Sequence, residues 1–231
     1  TAMNTQKFKI VIDILLTAAL LLLMPYELVG EAVHEWIGVG MFAVLIIHHI
    51  LNKKWTGHIG RGKYTPVRIM QTILVCLLVI NILGSMLSGI ILSRHVFDFI
   101  NIRGISALAG RVHMTCAYWG FVLMSLHLGI HWRMIMSVAG KPSSKSVKGQ
   151  PRRIRTWILR ILGAAIALYG LYAFVKRNIA SYLFLQVHFV FFDYSEPVIF
   201  YILDYTAAMG MMIFLGYYLN KGFQSIYRKV H

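Results

Sequence analysis

A chain of 231 residues that is 58% hydrophobic and only 13% charged, with a mean hydropathy of +0.67, carries too little charge to cover a water-soluble surface, where about a quarter of residues are usually charged. In a soluble protein its net charge of +15 would argue for a polyanionic partner; in an apolar chain the basic excess belongs in short loops against anionic headgroups of membrane lipids, and no nucleic acid is expected. The expected class is all-α, a multi-pass membrane helical bundle of about six transmembrane helices.

A span needs about 20 mostly apolar residues. The first such stretch, Ile10 to Val29, follows Lys7 and Lys9. No small-residue cleavage site stands ahead of Pro25, so a retained helix is expected rather than a signal peptide. The second, His34 to Leu51, contains Gly38-Val-Gly40-Met-Phe-Ala43, which imitates a dinucleotide fingerprint inside a membrane helix and reads better as helix packing. In the loop that follows, Gly57 to Lys63 matches the first seven positions of a phosphate loop, but Tyr64 stands where Ser or Thr should bind magnesium and no strand precedes it. A basic cytoplasmic loop is the reading there. The third and fourth spans are Val67 to Leu92 and Val112 to Met136. Residues 140–156, rich in Lys, Arg, Ser and Gly, form a basic cytoplasmic loop, and residues 157–231 hold two further membrane helices, Trp157 to Val175 and Val198 to Leu219. Between these two, the aromatic segment near 179–192 is short for a span and suits an interfacial or re-entrant helix. Residues 1–139 are then a four-helix core.

Most of the 23 Lys and Arg fall on one side of this arrangement. Arg94, Arg103, Arg111, Lys176 and Arg177 share the other side with seven of the eight acids: Glu27, Glu31, Glu35, Asp98, Asp193, Glu196 and Asp204. By the positive-inside bias both termini are cytoplasmic.

Histidines carry the functional signal. His34 and His48 lie 14 residues apart in the second span, and His113 and His127 lie 14 apart in the fourth. At about 100° per residue such a spacing returns to within roughly 40° of the starting direction, about 21 Å along the axis. The two spans run the same way across the membrane, because the third intervenes. Pairing by depth gives an outer site, His34 with His113, and an inner site, His48 with His127. Polar rings inside a membrane helix are costly unless they have a partner or a task. Two stacked bis-histidine sites fit two haems, since such an iron is saturated and changes redox state with little reorganisation. A zinc site would want four clustered ligands. With Cys76 and Cys116 far apart and no C-x-x-C-H motif, covalent attachment is excluded and two haem b are expected.

His49 and His131 are alternative ligands of the inner iron: His49 points about 100° away from His48, and His131 returns to the face of His113. Gly38 and Gly120 lie on the histidine faces, where glycine admits a flat macrocycle. Arg111 and Arg133 are possible partners of the haem propionates, because guanidinium pairs with carboxylate in a fork. His58, His95, His188 and His231 lie in loops or near interfaces, and His95, beside Arg94 and Asp98, is a weak candidate for quinone or proton handling. No residue has the marks of a catalytic acid, base or nucleophile.

His34-Glu35-Trp36-Ile37-Gly38, Asn52-Lys53-Lys54-Trp55, and His113-Met-Thr-Cys-Ala-Tyr118-Trp119-Gly120 leading to Ser125-Leu126-His127-Leu128-Gly129 resemble the DUF4405 domain family of small prokaryotic membrane proteins. That family is similar in plan to the di-haem cytochrome b subunits of respiratory dehydrogenases and to ferric-reductase-like membrane domains. The resemblance covers roughly residues 8 to 136. It implies a flavinylation-associated cytochrome in the cytoplasmic membrane of a prokaryote, an oxidoreductase subunit that passes electrons between a quinone pool and an extracytoplasmic flavin-bearing redox partner, with His34, His48, His113 and His127 as iron ligands. Two other classes compete: a membrane reductase acting directly on quinone, ferric iron or oxygen species, and a haem-free transporter or assembly subunit that uses the histidines in packing or proton relay.

Overall fold

The computed structural model describes residues 2–100, 102, 104–139 and 152–230. Arg103, His231 and most of the basic loop expected at 140–156 lie outside the described residues. The described chain is all-α, with nine α-helices and one 3-10 turn. Helix α1 covers Ala2–Leu23, α2 Tyr26–Val29, α3 Glu31–Leu51, α4 Lys53–Gly57 and α5 Pro66–Leu92; the turn Asp98–Ile100 precedes α6, Ser106–Ala139, and α7 Arg152–Lys176, α8 Ile179–Leu183 and α9 Val198–Val230 complete it.

Four helices are long and apolar enough to cross a membrane, at Glu31–Leu51, Pro66–Leu92, Thr156–Lys176 and Val198–Tyr227, with mean hydropathies of 1.4, 2.4, 1.9 and 1.8. This is the composition of a multi-pass membrane protein. Helices α1 and α6 are also long, but Lys7, Lys9 and Asp13 in the one, and Arg111, His113, His127, His131 and Arg133 in the other, add polar load.

Two elements depart from the expected boundaries. The stretch Ile10 to Val29 is not one helix: α1 ends at Leu23, and Pro25, which has no N–H to donate and whose ring would strike the carbonyl of Leu21, diverts the chain into the single turn α2. Gly30, at φ 99°, then supplies a backbone turn that a side chain would resist, and α3 starts in a new direction. The segment near 179–192 is not a continuous interfacial helix either. Only Ile179–Leu183 is helical, entered by Asn178 at φ 52° and left through Leu185 at φ 51°; Ile179, Tyr182 and Leu183 are buried, while Phe184, Phe189 and Phe191 are exposed.

Helices α1 and α3 form an antiparallel hairpin, tied at its open end by Lys9 Nζ donating to Asn52 Oδ1 at 2.9 Å. Thr65 caps α5, its hydroxyl accepting from the Arg68 N–H at 3.3 Å ahead of Pro66 in the first turn. Helices α6, α7 and α9 pack with their backbones close together. A Cβ added to Gly216 would meet the Leu126 carbonyl at 2.6 Å, one on Gly129 would strike the Ile213 backbone, and one on Gly170 would strike the Ala207 carbonyl. Asn220 adds a buried hydrogen bond from α9 to the Ile130 carbonyl of α6 at 2.7 Å. The main core joins Leu20 of α1 and Met24 just beyond it, Tyr118, Phe121 and Val122 of α6, the three buried residues of α8, and Tyr201, Tyr205 and Ala208 of α9. In contrast, α3 has no fully buried residue. It leans on α1 and leaves its other face open toward α6.

Candidate metal centre

The outer pair meets across that open face. His34, in the first turn of α3, and His113, in the second turn of α6, have ring centroids 6.0 Å apart with planes at 69°. Two metal–imidazole bonds of about 2 Å through one ion, plus the reach from each nitrogen to its ring centre, give a centroid separation of about 6 Å. The His113 Nδ1–H donates to the Ser85 carbonyl at 3.0 Å, with Ser88 Oγ at 3.3 Å, which fixes the ring and leaves Nε2 for another partner. Ring anchoring of this kind through the second nitrogen is usual in a metal-ligating histidine. His34 is held edge-on by Tyr26 at 5.8 Å, and its Nδ1 is buried with no hydrogen-bond partner. A buried ring nitrogen with nothing to bond is costly. A metal ion would relieve it.

At the inner layer each helix presents two imidazoles, and one of the four, His48, pairs with a carboxylate. The His48 Nδ1–H donates to Asp13 Oδ1 of α1 at 2.8 Å, and Asn52 Nδ2 stands 3.4 Å from His48 Nε2. His49 lies against His48 with ring centroids 5.8 Å apart, and His131 against His127 at 4.8 Å. Coulombic interactions join His127 to His131, His48, Asp13 and His49. His48 and His127 thus share a neighbourhood without the ring-to-ring approach of the outer pair, and the alternative ligands His49 and His131 share it too. Since His34 meets His113 at one end while His48 neighbours His127 at the other, the two layers follow the same order along α3 and α6.

Gly38 and Gly120 both face open space: a Cβ added at either meets nothing within 4 Å, unlike the tightly packed glycines of α6, α7 and α9. These two glycines border room rather than backbone. The two arginines are placed differently. Arg111 is exposed in the first turns of α6, and Arg133, at its far end, donates to Gln224 Oε1 of α9 at 3.3 Å. Both lie toward the ends of α6. Among the described residues no group of three or more His, Cys, Asp or Glu converges on a common metal position. Haem asks less of the protein, because its macrocycle occupies four of the six iron positions.

Several partners of the site escape sequence reasoning. Asp13 was visible as an acid in an apolar stretch, but its pairing with His48 spans 35 residues. Ser85 and Ser88 gave no signal. Glu35, next to His34, accepts from Ser93 Oγ at 2.6 Å and from the backbone N–H groups of Arg94, His95 and Val96 at 2.8, 3.1 and 2.8 Å, fastening the loop after α5 to the start of α3 beside the outer pair. No protein-family model, no curated protein and no solved structure matches this chain.

Proposed function

We propose that this protein is a di-haem b-type membrane cytochrome that carries electrons across the cytoplasmic membrane of a prokaryote, between a quinone pool and an extracytoplasmic, flavin-bearing redox partner. The reading rests above all on the outer pair: two rings 6.0 Å apart on facing helices, one anchored through its second nitrogen and the other with a buried nitrogen that has no partner. The residues fit haem at that layer, and the open space at Gly38 and Gly120 is where a flat group would lie. His34 and His113 would hold the outer haem, and His48 and His127 the inner one, with His49 and His131 as alternatives and Arg111 and Arg133 at the propionates. When bound, haem supplies reversible one-electron chemistry. The chain's own work is to orient the imidazoles, exclude water and fix the distance between the two layers. Helices α1, α3, α5 and α6 would form the haem core, six helices would cross the bilayer, and both termini would be cytoplasmic.

Charge pairing supports that orientation. At the end assigned to the outside, acids and bases neutralise one another: Asp204 accepts from Lys176 Nζ at 2.9 Å and from Arg177 Nε at 2.8 Å, Glu196 takes the Arg177 fork at 2.6 and 2.8 Å, and Arg94 lies 3.8 Å from Glu31. The basic excess is left to the cytoplasmic side. Purified protein from haem-replete cells should give a reduced-minus-oxidised b-type spectrum; the His113→Ala variant should lose one haem and keep the other, and loss of both haems with that single change would break the depth pairing.

A further inference from the structure

Residues 52–65 join α3 to α5, two helices long and apolar enough to cross a membrane, and therefore belong at a boundary between water and lipid. From Lys53 to Arg68 the chain carries five cations, Lys53, Lys54, Arg61, Lys63 and Arg68, and no carboxylate. A cavity of about 340 Å³ opens there between α4, the following loop and the first turns of α5, within the range of about 300–1,000 Å³ common for small-ligand sites. Its polar lining is Trp55, His58, Thr65, Arg68, Gln71 and Thr72, and its apolar wall is Ile59 and Val67. We propose that this cavity binds a phosphate-ester anion, the headgroup of an anionic phospholipid, with the Arg68 guanidinium as its charged contact. The site stands apart from both histidine layers and does not depend on the cytochrome reading.

Donors line the cavity, and the chain leaves several of them without acceptors. The His58 Nδ1–H donates to the Lys54 carbonyl at 2.5 Å, which leaves Nε2 available. Arg68 donates Nη2 to the His58 carbonyl at 2.5 Å and Nη1 to the Lys63 carbonyl at 3.4 Å, and lies 4.7 Å over the Tyr64 ring. These contacts fix the guanidinium without neutralising it. Among the described residues the side chains of Trp55, Gln71 and Thr72 have no hydrogen-bond partner. A planar guanidinium meets phosphate oxygens in a fork, and a hydrogen bond to an ionised acceptor is stronger than one to a neutral acceptor. Two features favour a lipid over a soluble phosphate. Tyr64, standing where a nucleotide loop would offer a hydroxyl to magnesium, donates its own to the Ile59 carbonyl. Trp55 and Tyr64, 40% and 44% exposed, also present amphipathic rings next to the apolar wall, the kind of side chain that settles at headgroup level.

The test is native mass spectrometry of the full chain released from nanodiscs of phosphatidylcholine with or without phosphatidylglycerol, paired with thermal unfolding in the same lipids. Wild type should retain one phosphatidylglycerol in preference to phosphatidylcholine and unfold at a higher temperature when it is present. Equal retention of the two lipids overturns the inference. Arg68→Gln should weaken the retention about tenfold and abolish the thermal shift, and Arg68→Lys should restore only part of it, because an ammonium cannot form the fork. Lys53→Gln combined with Lys54→Gln removes two cations that do not line the cavity and should keep the bound lipid. A loss as large as that of Arg68→Gln would mean diffuse charge attraction and overturn the site. If Arg68→Gln does not fold, Gln71→Leu combined with Thr72→Val, which changes no charge, decides the matter: retention should fall, and unaltered retention overturns the inference. Millimolar inorganic phosphate added to the chain in nonionic detergent should leave its unfolding temperature unchanged; a rise would assign the cavity to soluble phosphate and overturn the lipid.

Discussion

At the scale of single residues, the buried side-chain polar atoms of the described residues have hydrogen-bond partners with one exception, and it lies at the candidate site. Glu196 illustrates the rule. The Arg177 guanidinium grips both its oxygens and holds its carboxyl below the usual carboxylate range. A depressed folded-state value means the pair stabilises the fold fully above the ordinary carboxyl range and stops doing so as pH falls through the folded value. Glu196→Gln should therefore cost about 2 kcal/mol at pH 7, with the gap in Tm between variant and wild type closing below about pH 4. Equal gaps at both pH values would remove the ion pair from the account. His34 is the exception, since its Nδ1 finds no partner within the protein. His34→Ala should remove one haem of two without lowering the stability of the haem-free chain by more than about 1 kcal/mol, as read by haem content and thermal unfolding. The histidine spacing was legible in the sequence because it obeys the helical period within one segment. Asp13 was not legible as a partner: its contact with His48 depends on the register of two helices joined through Pro25 and Gly30, and nothing local encodes that register.

At the scale of elements, the glycines are of two kinds, those packed against a neighbouring backbone and those that face open space. Gly129 and Gly216 sit where α6 and α9 bring backbone against backbone, and a larger side chain must push the helices apart. Gly129→Leu should destabilise the protein by about 3 kcal/mol, measured by thermal unfolding in detergent. Gly38 and Gly120 face open space on α3 and α6. Leucine there should keep or improve helix stability, since glycine costs about 1 kcal/mol in a helix interior, while filling the room beside the histidines. Gly120→Leu is expected to fold normally and lose haem; normal haem content would place the cofactor elsewhere. Long apolar helices such as α5 and α9 were readable from composition, whereas the break at Pro25 and the tucked turn α8 reflect backbone constraints and tertiary burial that an apolar stretch conceals.

At the scale of the whole molecule, one side is dense and the other open. Helices α6, α7 and α9 form a tight slab with the tyrosines Tyr118, Tyr201 and Tyr205 at its centre, their hydroxyls linked at 3.2 and 3.3 Å. The α1 and α3 hairpin stands beside it, and α3 has no fully buried residue. Because α9 packs directly on α6, the last helices brace the histidine-bearing helix, a role that charge and hydropathy patterns alone do not reveal. On the proposed orientation, a reporter fused after the final residue should be active only as a cytoplasmic reporter; an extracytoplasmic signal would invert the outer and inner assignments. The central claim is that four imidazoles on α3 and α6 hold two irons at two depths. Its most direct measurement is the haem-to-protein ratio of the purified chain, with the reduced-minus-oxidised spectrum recorded on the same sample. Two b-type haems per chain are predicted, and a colourless protein from haem-replete cells would contradict the account.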